Sequence, residues 1–209
     1  EKIKLAENLQ DCVSRAEIIC ILLPTPHKSG AGGEVPVEDS LVEDFDYSYL
    51  LEVLEQLDSV LHRDQEVVVM STVLPGTFRN VFLAEKKKYS LIYCPVIIHL
   101  GSVASDFLNQ EYWYIGNEKG EQSGKWRSLL EEVTPKVPIF MGTWEESELH
   151  KILFNTYSAF KISFANMVQD IAMRMGRVDA RQVCNALSQS KMRLYGEMYT
   201  APGMGDGGP

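Results

Sequence analysis

The chain has 209 residues, 45% hydrophobic and 23% charged, which is the balance of one or two globular domains and excludes a disordered tail or a fibrous repeat. Lys and Arg number 20 against 29 Asp and Glu, and the resulting charge of −9 would be repelled by a phosphate backbone, so no nucleic-acid partner is expected. The longest apolar runs, such as Ile18 to Leu23, fall far below the ~18 residues that span a bilayer, and the opening Glu1-Lys2-Ile3-Lys4 has no apolar stretch after it, so neither a membrane partner nor a signal peptide is expected. Cys12, Cys20, Cys94 and Cys184 form no CxxC, and the four His form no HExxH pair. Free thiols in a reducing compartment, a cytoplasmic location and no metal site are the expectations that follow.

In chain order, a helical pattern over Leu9–Ala16 leads into Ile18-Ile19-Cys20-Ile21-Leu22-Leu23, cut off by Pro24-Thr25-Pro26. Such a run predicts a central strand buried on both faces of a parallel sheet. Gly30 to Ser40 reads as a loop, and Tyr47–His62 as a helix. Val67-Val68-Val69-Met70 repeats the strand pattern and ends in Ser71-Thr72; a helix is predicted over Thr77–Lys88. Weaker strands follow at Leu91–Tyr93, Tyr112–Ile115 and Val137–Phe140, with a helix over Glu121–Val133 between the last two. Strand–helix alternation of this kind predicts an α/β domain with a mostly parallel sheet.

After Gly142 the character changes. Glu145 to Met175 holds neither Gly nor Pro, a stretch of 31 residues (175 − 145 + 1) and, as one helix, about 46 Å long. Leu149, Leu153, Tyr157, Phe160, Phe164, Met167 and Ile171 mark one apolar face, while Ile152, Phe154, Ile162 and Met173 fall off it. More than one partner surface is needed to cover them, so a subunit interface is expected along this helix. Gly176 would end it as a left-handed cap, and Asp179–Leu187 reads as another helix. The whole reads as α/β: an incomplete doubly wound, Rossmann-like parallel sheet lacking its first βαβ unit over 1–142, then a long central helix and the start of a helical domain over 143–209.

Several motifs carry chemistry or mimic it. Gly203-Met204-Gly205-Asp206-Gly207-Gly208 satisfies GxGxxG, but no strand precedes it and no helix follows, so a flexible tail or a glycine loop admitting close backbone approach fits better than a dinucleotide fingerprint. Ser71-Thr72-Val73-Leu74-Pro75-Gly76-Thr77 and Pro24-Thr25-Pro26 both follow buried strands, where open α/β sheets bind ligands. Small hydroxyls there serve a cofactor or plain turn chemistry equally. Lys151 and Asn155 lie four apart on one helix face, a pair that either polarises an oxygen in a cleft or is merely solvated. Cys94 follows a strand; with no basic neighbour in sequence it reads as a small core residue rather than a nucleophile.

Taken in order, these pieces resemble the UDP-glucose/GDP-mannose dehydrogenase family. Leu23-Pro24-Thr25-Pro26 is similar to its Val-Pro-Thr-Pro turn, and Ser71 to Thr77 to its Ser-Thr-Val-Pro-x-Gly-Thr with one residue inserted. Gly101 to Asn109 resembles Gly-Ser/Thr-Ala-x-x-Asp-Phe/Leu-x-Asn, Glu148 to Asn155 resembles Glu-Leu-x-Lys-x-x-x-Asn, and Pro202 to Gly208 resembles Pro-Gly-x-Gly-Phe/Tyr-Gly-Gly. The resemblance implies oxidation of the C6 alcohol of a nucleotide-sugar to a carboxylate, with NAD as cofactor and a cysteine thioester on the way. It implies that Lys151 and Asn155 are catalytic and that Leu23, Pro24, Thr25, Pro26, Ser71, Thr72 and Val73 border NAD. It places Val96, Ile97, Ile98, Leu100, Arg193, Gly203, Gly205 and Gly207 at the nucleotide-sugar, and implies a homodimer formed through the helical domain. The family's nucleophilic Cys would follow the residue matched by Pro209. Its Pro-Glu-x-x-x-Glu-Gly reads Pro95-Val96-Ile97-Ile98-His99-Leu100-Gly101, so Val96 and Leu100 replace two glutamates, the first of them assigned to activating water. Two alternatives therefore stand beside the dehydrogenase: a catalytically impaired member that binds nucleotide-sugars, and a 3-hydroxyacid-type dehydrogenase.

Overall fold

The computed structural model describes residues 4–28, 43–62, 64–99, 101–121, 124–192 and 194–195. The chain forms two compact units, Glu1–Leu153 and Phe154–Pro209. In the first, α1 (Leu9–Val13), β1 (Ile18–Ile21), α2 (Ser48–Val60), β2 (Glu66–Val69), α3 (Thr77–Asn80), β3 (Ser90–Tyr93), α4 (Val103–Leu108), β4 (Trp113–Asn117), α5 (Lys125–Val133) and β5 (Ile139–Thr143) precede α6 (Trp144–Met175), which continues into the second unit.

The five strands make one sheet in the order β1-β2-β3-β4-β5. β1, β2 and β3 are parallel, with Ile18 opposite Glu66 and Glu66 opposite Ser90. Successive valines of β2 serve opposite faces. Val67 and Val69 join Leu50, Leu54, Leu57 and Phe78 on one side, while Val68 joins Trp113, Ile115, Trp126 and Leu130 on the other. That is the double burial a continuous apolar run predicts.

Three expectations are corrected. β4 runs antiparallel to β3, and β5 parallel to β4. The connection that carries α4 brings the chain back into the sheet from the end at which it left. Second, the predicted run Ile18 to Leu23 is a strand only as far as Ile21, and only Ile21 of that strand is fully buried. Third, the helix predicted over Thr77–Lys88 stops at Asn80 and gives way to a 3-10 turn at Ala84–Lys86. The N–H groups of Val81 and Phe82 converge on the Thr77 carbonyl, and Leu83 turns the chain at φ +50°. Lys87 is then held on Asp58 of α2 at 2.6 Å, a long-range pull that no local periodicity reports.

α6 begins in a reciprocal cap. Glu146 accepts from the Thr143 N–H at 2.7 Å, and Thr143 Oγ1 accepts from the Glu146 N–H at 3.3 Å. Its first turn lies tight on the sheet because β4 offers Gly116 there: a Cβ at that position would meet the Ser147 Cβ at 2.8 Å. In the second unit the helix ends at Gly176, φ +72°, and Asp179 caps α7 (Ala180–Leu187) by accepting from the Arg181 N–H at 2.9 Å. The predicted loop over 30–40 and the glycine tail lie outside the described residues.

Candidate active site

Beyond the carboxyl ends of β1, β2 and β3, three loops converge on an open cleft of about 460 Å³. The loop after β1 contributes Leu22 to Thr25, and the loop after β2 contributes Met70, Ser71 and Thr72. Val96 and Ile98 come from the segment after β3, and Lys151 closes the cleft from α6. The first two loops are bonded to each other: the Leu23 N–H donates to Ser71 Oγ at 3.0 Å, and Thr25 Oγ1 donates to the Thr72 carbonyl at 2.7 Å. Side-chain hydroxyls thus set the width of the cleft on that side.

Lys151 is 9% exposed, and its Nζ donates to the Val96 carbonyl at 2.9 Å. Burial pulls its pKa below the ordinary lysine value. Among the described residues no carboxylate forms an ion pair with it. A cation held out of water with only a carbonyl partner opposes folding. Lys151→Met is therefore expected to stabilise the folded protein by about 1 kcal/mol at neutral pH. The sign also fixes a pH effect. A lysine whose folded pKa is depressed binds fewer protons folded than unfolded, so the parent gains stability relative to Lys151→Met as pH rises toward 10.5. Urea unfolding of both proteins at about pH 7 and about pH 10 checks this; a parent more stable than the variant at the lower pH would contradict it.

Glu148, one turn before Lys151, received no role from the sequence, although it opens the Glu-Leu-x-Lys-x-x-x-Asn motif. It is wholly buried, and its carboxylate accepts from the Gly76 N–H at 2.6 Å and the Phe78 N–H at 2.8 Å. It therefore binds the loop after β2 to the helix that carries Lys151. Burial pushes its pKa up, against the two N–H donors that pull it down. Tyr47 braces the same loop from α2's start: its hydroxyl donates to Asp44 at 2.6 Å and accepts from the Leu74 N–H at 3.0 Å. Burial and Asp44 push that hydroxyl up to about 12. In the segment after β3, outside the lining, one oxygen of Asp106 accepts from the His99 N–H and the Ser102 hydroxyl, each at 2.8 Å, and these bonds hold its pKa below the usual carboxylate range. Glu148 acts over a gap along the chain that motif spacing does not reveal, whereas Asp106 bonds within its own motif.

Of the residues predicted at the site, Leu23, Pro24, Thr25, Ser71, Thr72, Val96, Ile98 and Lys151 line this one cleft. The Val73 side chain is instead buried in the core, Pro26 is exposed outside the lining, and the Ile97 carbonyl accepts from Gln110 at 2.8 Å. Asn155 is exposed one turn beyond Lys151, in the second unit. Cys94 is fully buried, with its thiol pushed up to about 12, as suits a core residue. Leu100, Arg193, Gly203, Gly205 and Gly207 lie outside the described residues.

A cleft outside the carboxyl ends of parallel strands is the nucleotide site of the open α/β folds, and the first unit is accordingly a Rossmann-like domain. Residues 1–134 match the family model described as UDP-glucose/GDP-mannose dehydrogenase family, NAD binding domain, and residues 145–209 match that family's central domain. The chain belongs to the UDP-glucose/GDP-mannose dehydrogenase family. It is 31% identical to GDP-mannose 6-dehydrogenase of Pseudomonas aeruginosa over 79% of this chain and 40% of that protein. Against UDP-glucose 6-dehydrogenase of Rickettsia bellii it is 24% identical, over 98% of this chain and 45% of that one. Among solved structures, a ternary complex of GDP-mannose dehydrogenase from Pseudomonas aeruginosa superposes with a TM-score of 0.74 at 26% identity, covering 93% of this chain and 44% of that chain. A UDP-glucose dehydrogenase from Pyrobaculum islandicum gives 0.68 at 28% identity, covering 89% and 42%. The chain thus spans less than half the length of these relatives.

Proposed function

We propose that this chain serves the NAD-dependent oxidation of the C6 alcohol of a nucleotide-sugar to a carboxylate, through a cysteine thioester. The observation that carries the reading is Lys151, buried yet opening onto the cleft where the loops after β1, β2 and β3 meet. The residues present fit NAD: Leu23 to Thr25, Ser71 and Thr72 offer hydroxyls and exposed backbone at the strand ends, where a dinucleotide lies in this fold. NAD bound there supplies a hydride acceptor. Lys151, an ammonium at rest whose proton burial loosens, would then hold the alcohol oxygen, and once that proton has passed to water the amine takes the hydroxyl proton. Asn155 steadies the oxyanions that follow. Val96, Ile97, Ile98 and Leu100 meet the sugar, and Arg193 the nucleotide. Gly203, Gly205 and Gly207 form the loop around the sugar ring. The NAD-binding part occupies 1–142, and the helical, dimerising part begins at 143.

A second reading has its own support. No carboxylate lines the cleft among the described residues, and Val96 packs against the core on the β4 side. The thioester would then be hydrolysed slowly, or the protein would bind nucleotide-sugars without turning them over. Incubating the full-length protein with NAD and, in turn, GDP-mannose, UDP-glucose and a small 3-hydroxyacid separates the readings. Two NADH per sugar with one nucleotide-sugar is the expected result. Binding without NADH supports the impaired reading, and NADH with the hydroxyacid alone would overturn both.

We also propose a homodimer formed along α6. Within the second unit Tyr157, Phe160, Phe164, Met167 and Ile171 present one exposed apolar stripe, with Phe160 64% exposed. Light scattering of the full-length protein at micromolar concentration is expected to give a dimer, and Phe160→Glu to weaken it by about tenfold or more. A monomeric parent would contradict the idea. No helix among the described residues is long and apolar enough to cross a membrane, and the four cysteines are free. Free thiols suit the cytoplasm, where we place the protein.

A further inference from the structure

We infer that the cleft around Lys151 selects for an anion, so that this protein holds the C6 carboxylate of a nucleotide-sugar acid more tightly than the neutral alcohol it derives from. The inference rests on the nucleotide-sugar reading and names the form of the sugar that the site prefers. Three observations carry it. Lys151 is 9% exposed and has one hydrogen-bond partner, the Val96 carbonyl at 2.9 Å, with no carboxylate paired to it among the described residues. The rest of the lining adds no charge: Leu22, Leu23, Met70, Val96 and Ile98 are aliphatic, and the small hydroxyls of Ser71 and Thr25 are engaged with the Leu23 N–H and the Thr72 carbonyl. The acid nearest along the helix, Glu148, is turned away from the cleft and held by the Gly76 and Phe78 N–H groups. Among the described residues the cleft therefore contains one buried positive charge and no side chain of opposite charge.

A buried charge without a counter-ion is costly, and an arriving anion removes that cost. An alcohol at C6 gives the ammonium a neutral hydrogen bond. A carboxylate gives it a charge-assisted one, and such bonds are about twice as strong. A glutamate at Val96, which lines the cleft with Lys151, would cancel this advantage by occupying the ammonium and repelling the acid. The aliphatic side chain there leaves the charge for the ligand. The consequence for turnover is that the product is held in its ground state, which slows release without helping the chemical step.

Calorimetric titration of the full-length, NADH-saturated protein tests this. GDP-mannose is compared with GDP-mannuronic acid, and UDP-glucose with UDP-glucuronic acid, so that only the oxidation state at C6 differs within a pair. In the pair that binds, the acid is expected to bind about tenfold or more tightly, which is ~1.4 kcal/mol per factor of ten. Val96→Glu is expected to cut that ratio to within about twofold, and Lys151→Met to do the same; the two variants fail independently if either misfolds. Equal affinities in the parent, or tighter binding of the alcohol, would overturn the inference and leave the nucleotide-sugar reading standing. Absence of binding by all four compounds would overturn both.

Discussion

Lys151→Ala in the full-length protein is expected to lower turnover by about 10²-fold or more, the scale of losing a positioned acid–base group. Lys151 brings the ammonium to the mouth of a cleft whose other walls are loops after three parallel strands, and it is the one side chain of that lining able to exchange a proton at neutral pH. Truncation also frees the Val96 carbonyl, whose bond to Nζ holds the segment after β3 against α6. The effect should fall on kcat, because the groups that line the cofactor side, Leu23 to Thr25, Ser71 and Thr72, are bonded among themselves and do not depend on Lys151. Steady-state kinetics with NAD and the accepted nucleotide-sugar would show kcat reduced and the KM for NAD within about threefold of the parent. A rate within about threefold of the parent would remove Lys151 from the chemistry. Since Lys151→Met is expected to raise stability, activity and stability should move in opposite directions at this position, as is common where a site holds an uncompensated charge.

Glu148→Ala is expected to destabilise the protein by about 3 kcal/mol. Removing the carboxylate leaves two buried N–H donors, of Gly76 and Phe78, without an acceptor, and opens a cavity between the loop after β2 and α6. Each orphaned donor costs about 1–3 kcal/mol, which outweighs the relief of no longer burying the carboxylate. Glu148→Gln keeps the volume but offers one acceptor and one misplaced donor, so it should fall between parent and alanine. The pH dependence adds a check. Because burial holds the Glu148 pKa above its ordinary value, the folded state binds more protons than the unfolded one between the two values. Stability from this group is complete below the unfolded carboxylate range and is lost as pH rises through the raised folded value. Glu148→Gln should flatten that fall. Urea unfolding across the acidic range measures both effects, and a loss under about 1 kcal/mol in the alanine variant would mean that water replaces the carboxylate.

Local patterning placed most elements close to where they form. The two continuous apolar runs gave β1 and β2, and the Gly- and Pro-free stretch gave α6, which starts at Trp144 and ends at Met175 as the spacing required to within a residue. Gly176 and Asp179 act as the stop and the cap that their residue types announce, because those roles depend on φ and on a side-chain oxygen two residues away. The errors share a cause. The Thr77–Lys88 pattern is amphipathic, but Lys87 is held by Asp58 on another helix and the chain bends to reach it. α5 starts at Lys125 rather than Glu121 because Glu66, on β2, accepts from the N–H groups of Lys125 and Trp126 at 2.8 and 2.7 Å. α4 escaped notice because six residues, with Val103, Ala104, Phe107 and Leu108 on one side, are too short a stretch to mark a helix by periodicity.

The sequence by itself determined the strands and most of the helices, where the long helix stops, and, through motifs read in order, the family and the loops that border the cleft. All of these rest on residue type, short-range periodicity or spacing along the chain. Only the tertiary structure decided what is contacted across the gaps. It reversed the sheet between β3 and β4, because strand direction depends on the end of the sheet to which the connecting chain returns, which no local periodicity reports. It gave Glu148, silent in the motif, the task of joining the loop after β2 to α6, because a buried N–H takes whichever acceptor packing brings near, regardless of sequence distance. And it gave Lys151 no counter-charge among the described residues, since which charges a cleft gathers depends on how loops from three strands and one helix meet in space.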